Sequence, residues 1–224
     1  MLYGGEQGAQ VEARLRTIIE ARRASIPTPP HSDLSARDAI LITYADQIQD
    51  TTQKPLKMLE GFCARHLKGV VSGVHILPFY PWSSDDGFSV KDYRAVDARY
   101  GSWEDIHRLG SDFRLMFDAV INHCSAQGAW FQAFLRDEEP YRRYFVTVQG
   151  SPDLSQVVRP RALPLLTEFP TRSGARKVWT TFSADQVDLD YRNPDVALDM
   201  IDILLEYAAH GAQFIRLDAI AYLW

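Results

Sequence analysis

Apolar positions along the chain follow two rhythms. The runs AILITYAD (39–46), GVVSGVHILPF (69–79), FRLMFDAVINH (113–123) and AQFIRLDAIAYLW (212–224) are short and nearly continuous. They are rich in β-branched and aromatic residues, which predicts four buried strands. Between them the apolar spacing lengthens to that of a helix. After a loose tail over residues 1–10, Val11, Leu15, Ile18 and Ile19 predict a helix that the Pro-rich IPTPPHSD (26–33) ends. Leu56, Leu59, Phe62 and Cys63 mark one face of a second helix over 55–67. Ser102 with Asp105 three residues later predicts the start of a third, SWEDIHRLG (102–110). Asn193-Pro194 opens a fourth, with Val196, Met200, Ile203, Leu204 and Tyr207 as its apolar side and Gly211 as its stop.

Residues 124–183 follow neither rhythm. Proline, arginine and aromatic residues are mixed there without period, which predicts an irregular insertion too long to be an ordinary connection. The chain therefore divides into a tail and helix (1–38), a first set of strands and helices (39–123), the insertion (124–183) and a continuation (184–224). The order β–α–β–α–β–insertion–α–β, with near-continuous apolar strands, predicts an α/β fold with a parallel sheet covered by helices. Two architectures compete at this level. A doubly wound dinucleotide-binding sheet needs a GxGxxG turn after a strand, and the sequence has none. Four βα units make the N-terminal half of a (β/α)8 TIM barrel.

Composition narrows the field further. With 224 residues, 46% hydrophobic and 24% charged, the chain has ample material for a globular core. A formal net charge of −5 offers no basic footprint for nucleic acid or an anionic membrane. No stretch approaches the roughly 18 apolar residues of a membrane span, and MLYGGEQGAQ lacks the basic-then-apolar pattern of a signal peptide. Cys63 and Cys124 are isolated, which suits a reducing compartment and gives no zinc spacing. The expected address is the cytoplasm, with no metal or other cofactor.

Candidate chemistry gathers at strand ends. Alternation places Phe214, Arg216 and Asp218 on one face, with Ile215 and Leu217 on the other. If helices cover Ile215 and Leu217, Arg216 and Asp218 point into the interior, where a carboxylate needs a partner. The pair reads equally as a structural tie or as part of a site. In FDAVINH, Asp118, Val120 and Asn122 are in phase, and Asn122 and His123 fall at the carboxyl end, where parallel α/β folds build their sites. In WSSDDGFSVKDY (82–93), Gly87 permits a tight bend that presents Asp85 and Phe88, a carboxylate and a flat ring. No HExxH, P-loop or GxSxG is present.

Together these pieces resemble the α-amylase family of retaining glycoside-active enzymes. DAVINH is similar to its first motif, carrying Asp118, Asn122 and His123. FIRLDAI is similar to its second, in which Asp218 matches the nucleophile and Arg216 the arginine that orients it. GFSVKDYRAVDARYG (87–101) and QVDLD (186–190) resemble two further segments, the second at the end of the inserted B domain. ITYAD, HLKGVVSGVHILPFYP, SDDGF and WTTFSADQVDLD resemble the sucrose phosphorylase branch. The resemblance implies that Asp85 and His123 hold hydroxyls of a glucose ring, that Phe88 lies under it, and that Phe182 and Tyr222 belong to the donor pocket beside Asn122. It also implies an acid/base Glu after a fifth strand, which this chain does not reach, so the 224 residues alone are expected to be inactive.

The implied reaction is transfer of glucose from an α-glucoside to inorganic phosphate, giving α-glucose 1-phosphate with retention. Arg216 is expected to hold the Asp218 carboxyl below its usual range. Hydrolysis or transglycosylation within the family, and a noncatalytic sugar-binding fragment, remain as alternatives. The open sheet edges that four strands leave are suited to a homodimer.

Overall fold

The computed structural model describes residues 3–28 and 34–223. Its elements run in the order α1 (Gly5–Arg23), β1 (Ile40–Thr43), α2 (Pro55–His66), β2 (Gly73–Ile76), α3 (Trp103–Gly110), β3 (Arg114–Val120), β4 (His123–Ser125), α4 (Ala129–Leu135), β5 (Thr147–Val148), β6 (Leu166–Thr171), β7 (Gly174–Trp179), β8 (Gln186–Asp188), α5 (Pro194–Ala209) and β9 (Ala212–Asp218). The sheet order β1-β2-β3-β9 is parallel throughout, with α2, α3 and α5 as the crossovers. This is a partial β/α barrel of four strands.

Parity along the strands separates the two faces. Leu115, Phe117 and Ala119 of β3 are buried on the helix side, and Phe117 meets Trp103 of α3 and Tyr207 of α5 through ring contacts. Tyr80 stacks on Tyr207 with centroids 5.0 Å apart. On α5, Val196, Met200, Ile203 and Tyr207 are buried; each of the first three contributes about 1.5–3 kcal/mol. The other face of β3 carries Asp118, and register places it opposite Arg216 of β9. Ile215 packs on the core, as its parity predicts, whereas Leu217 on the same face remains 43% exposed.

The elements follow their sequence signals with three corrections, two in helices and one in a strand. Helix α1 begins at Gly5, inside the expected loose tail, because it is docked on α5 by ions: Arg14 meets Asp195 at 2.7 Å, and Arg22 meets Asp202 at 2.7 Å and Glu206 at 3.1 Å. Tyr3 secures the approach by donating its hydroxyl to the Tyr191 carbonyl at 2.6 Å. In α2, Leu56, Leu59 and Cys63 are buried, but Phe62 is 42% exposed and lies against His66 instead of the core. The fourth strand ends at Asp218, because Ala219 takes a left-handed conformation and a 3-10 turn over Ile220–Tyr222 follows. Ser102 and Asp105 do start α3: the Ser102 backbone N–H and hydroxyl donate to Asp105 Oδ2 at 2.8 and 3.0 Å.

The 124–183 insertion is more ordered than its composition suggests. It contains α4 and an antiparallel sheet in the order β5-β7-β6. The sheet lacks an apolar alternation because Glu168 of β6 and the adjacent Arg176 and Lys177 of β7 put charged residues on both of its faces, and β6 is an edge strand that tolerates Pro170. Strand β4 pairs antiparallel with β8, joining His123 to Asp188 and Ser125 to Gln186. The segment thus leaves and re-enters the barrel at one place, beside the carboxyl ends of the strands.

Candidate active site

Four stretches converge at those carboxyl ends on a cavity of about 340 Å³. Tyr44 follows β1. Asp85, Asp86 and Phe88 come from the loop after β2. His123 begins β4, and Asp218 ends β9. The insertion adds Arg161 and Phe182, and Gln186 opens β8 just after it. A cavity of about 380 Å³ lies at the opposite end, where His107 and His210 sit beside the amino ends of β3 and β9, but no carboxylate lines it. In parallel βα folds chemistry belongs to the carboxyl end.

The loop that carries Asp85 is bent tightly. Asp85, Asp86 and Gly87 have φ of 57°, 51° and 102°. At Gly87 a side chain would place its Cβ 2.7 Å from the Pro78 carbonyl oxygen, so glycine is required there. Each left-handed aspartate costs roughly 1–3 kcal/mol, which the surrounding bonds must offset. Asp85 is held from the insertion and from β8: Arg161 Nη2 reaches its two oxygens at 3.0 and 2.9 Å, and Gln186 Nε2 donates to it at 2.9 Å.

Beneath the cavity runs a line of charges. Asp118, fully buried, takes His75 Nε2 at 2.6 Å on one oxygen and Arg216 on the other. Arg216 Nη2 lies 2.9 Å from Asp218 Oδ1, and its guanidinium is 5.9 Å from the centre of the Phe88 ring. Burial is the largest influence on Asp218 and raises its carboxyl above the usual range, with Arg216 opposing and Asp118 adding to the rise. Arg216 pulls in the expected direction, but the expectation that it holds the carboxyl below its usual range is corrected. The loss of water around Asp218 outweighs the adjacent cation, which Asp118 already shares.

His123 is enclosed. Its ring approaches Phe88 O at 2.9 Å, Gln186 Nε2 at 3.2 Å and Asn122 Oδ1 at 3.0 Å. Burial pushes it down to about 4, so it is neutral near pH 7. Asn122 does not line the cavity; it is fully buried and donates Nδ2 to the Tyr222 carbonyl at 2.6 Å. Tyr222 also stands outside the lining, edge-on to Phe182 at 5.4 Å, and Phe182 lies 5.1 Å from the His123 ring. Asp85, Phe88, His123, Phe182 and Asp218 thus meet around one space, with Arg216, Asn122 and Tyr222 behind them.

Sequence reasoning did not single out Tyr44, Asp86, Arg161 or Gln186. Gln186 stood within QVDLD and Tyr44 within the first apolar run, which were available signals. Arg161, in the aperiodic insertion, had none. Among the described residues no group of three or more His, Cys, Asp or Glu is placed to hold a metal ion.

The family model for the α-amylase catalytic domain matches residues 44–223. A glucosylglycerate phosphorylase of Spirochaeta thermophila is 51% identical over 100% of this chain and 39% of its own length. A sucrose phosphorylase of Streptococcus mutans is 36% identical over 82% of this chain and 40% of its own. Among solved structures, sucrose 6F-phosphate phosphorylase from Thermoanaerobacter thermosaccharolyticum superposes with a TM-score of 0.79 at 29% identity, covering 86% of this chain and 42% of that one. The chain spans about two fifths of the length of the curated relatives it matches.

Proposed function

The chain belongs to the α-amylase family, and on that premise we propose that it carries the donor-sugar half of a retaining α-glucoside phosphorylase acting on glucosylglycerate. The observation that carries this reading is Asp218: a carboxylate bonded to Arg216 and facing a cavity that also holds an aromatic ring and three polar groups suited to sugar hydroxyls. Phe88 offers its face to the C–H surface of the glucose ring, while Asp85, His123 and Gln186 engage its hydroxyls.

In the first step Asp218 attacks the anomeric carbon, and the bond to the glycerate oxygen breaks as a general acid protonates that oxygen. The family resemblance places this acid after a fifth strand, outside the part of the relatives that the chain spans. In the second step a phosphate oxygen displaces Asp218 from the β-glucosyl ester, giving α-glucose 1-phosphate with net retention. Arg161 supports the choice of phosphate, since it is the cation among the described residues lining the cavity. The glucosylglycerate assignment rests on the higher identity and fuller coverage of that relative over the sucrose phosphorylase.

The cytoplasm is the proposed setting, supported by two isolated, buried free thiols, Cys63 and Cys124. Among the described residues no helix is long and apolar enough to cross a membrane. Strands β1 and β9 are the edges of the main sheet, so the chain by itself offers two surfaces for pairing with a second copy, and a homodimer is proposed for it in isolation.

The test is a chimera in which residues 1–224 replace the matching segment of the Spirochaeta thermophila relative. Phosphate-dependent release of glucose 1-phosphate from glucosylglycerate supports the proposal. Phosphate-independent release of glucose favours hydrolysis, and a preference for sucrose overturns the substrate assignment.

A further inference from the structure

The side chain of Asp185 gathers serine hydroxyls from two separate segments. Its Oδ2 accepts from Ser83 and Ser84 at 2.5 Å each and from Ser89 at 2.8 Å. Its Oδ1 lies 3.3 Å from Ser125 Oγ. The Asp185 carbonyl adds two contacts, accepting the Ala126 N–H at 2.9 Å and lying 2.9 Å from Ser89 Oγ. Ser83 and Ser125 are themselves 2.6 Å apart, which links the two segments directly. Hydrogen bonds to an ionised acceptor are roughly twice as strong as neutral ones.

Asp185 is not among the residues lining the cavity, but its partners frame those that are. Ser83 and Ser84 precede the left-handed Asp85–Asp86 bend, and Ser89 follows Phe88. Ser125 stands two residues beyond His123, and Asp185 itself precedes Gln186. Within the loop the backbone closes by ordinary turn bonds, Phe88 N–H to Asp85 O at 3.0 Å and Ser89 N–H to Ser84 O at 3.2 Å. The loop is also anchored from outside, by Ser125 N–H to Val90 O at 2.8 Å, by the His123 ring at 2.9 Å from Phe88 O, and by the Arg161 and Gln186 contacts to Asp85. The Asp185 carboxylate adds to these a single group that binds both arms of the loop and β4 at once.

We propose that Asp185 is the positioning residue of the sugar cavity. Its carboxylate locks the Asp85–Asp86 bend and couples it to the strand carrying His123 and the segment carrying Gln186. The three groups assigned to sugar hydroxyls are thereby fixed relative to one another through a residue that does not touch the sugar. The proposal rests on reading the cavity as a glucose site.

Deuterium exchange of the 224-residue chain, resolved by peptide and run with and without saturating D-glucose, tests it. Asp185→Ala should speed exchange over residues 83–89 on the order of tenfold, leave 114–120 at the wild-type rate, and reduce the protection glucose gives the loop. Asp185→Asn, which keeps one carbonyl acceptor, should fall between wild type and alanine. Unchanged exchange at 83–89 in Asp185→Ala overturns the proposal. So does a rise that 114–120 shares, since Asp185 would then act as a general stabiliser. If glucose protects nothing in the wild type, the glucose reading fails, and the exchange comparison at 83–89 still decides the lock.

Discussion

Asp118 and Arg216 are matched twice: they are register partners in the β3–β9 ladder, and their side chains form an ion pair. The pairing is continued on both sides, by His75 on the second oxygen of Asp118 and by Asp218 beyond Arg216. Polar side chains from β2, β3 and β9 are thereby strung across the sheet interior and end at the cavity.

Removing the middle of that line should be costly. Asp118 is fully buried, so Asp118→Ala leaves His75 and the inner part of Arg216 without a partner. Arg216 is 45% exposed and keeps Asp218, so the main loss is the buried partner of His75, which typically costs about 1–3 kcal/mol. Urea unfolding of the variant should show a loss of that order, and a loss below about 1 kcal/mol would contradict the role given to the pair.

Asp218 should trade stability for charge. Its carboxyl is raised in the folded chain, first by burial, so the folded state holds that proton more tightly than the unfolded one. The stability it contributes is full below the unfolded value of about 3.9 and is lost as pH climbs through the raised folded value. Asp218→Asn should therefore be more stable than wild type at pH 7, with the advantage vanishing near pH 3. In the active chimera the same change should cost about four orders of magnitude in turnover, as loss of a catalytic group does elsewhere. Paired urea midpoints at the two pH values and a glucose 1-phosphate assay check both halves.

These two residues also show how far the sequence could be read. Strand parity alone placed Arg216 and Asp218 inward, because a period of two survives any detail of packing. It could not give the direction of the Asp218 shift, which depends on how much water the finished cavity removes. The insertion sheet was hidden for a related reason: charged residues interrupt β6 and β7, and the residues β7 buries, Val178 and Trp179, are consecutive, so neither strand shows the alternation that a core imposes. Arg161 and Asp185 act across 76 and up to 102 residues of sequence, on Asp85 and on Ser83. Such pairings are made by the return of the chain to the barrel and leave no local pattern.

His123 gives a second pH signature, of opposite sign. Burial holds its ring at about 4, whereas in the unfolded chain it takes a proton near 6.5. Stability should fall as pH drops from about 6.5 towards 4, because only the unfolded state binds the proton readily. His123→Gln should flatten this part of the profile. Denaturation midpoints at pH 7 and pH 5 provide the comparison, and an equal drop in both proteins would assign the effect elsewhere.

Phe88 is partly buried at the cavity, with Arg216 against its ring. Phe88→Ala should weaken binding of the glucose moiety about tenfold or more while lowering the unfolding temperature only modestly. The expected tenfold corresponds to about 1.4 kcal/mol of lost stacking. A large thermal loss with unchanged glucose affinity, read by calorimetry, would make the ring a core residue instead.

The central claim is that Asp218 forms a bond to the sugar. The direct measurement uses the chimera carrying residues 1–224 and a fluorinated α-glucosyl fluoride, which forms the glycosyl ester readily and releases it slowly. Proteolysis and mass spectrometry then locate the added sugar. The account predicts one fluoroglucosyl group on the peptide containing Phe214–Asp218, at Asp218, and none in Asp218→Asn. An active chimera that accumulates no ester, or carries it on another residue, would contradict the assignment.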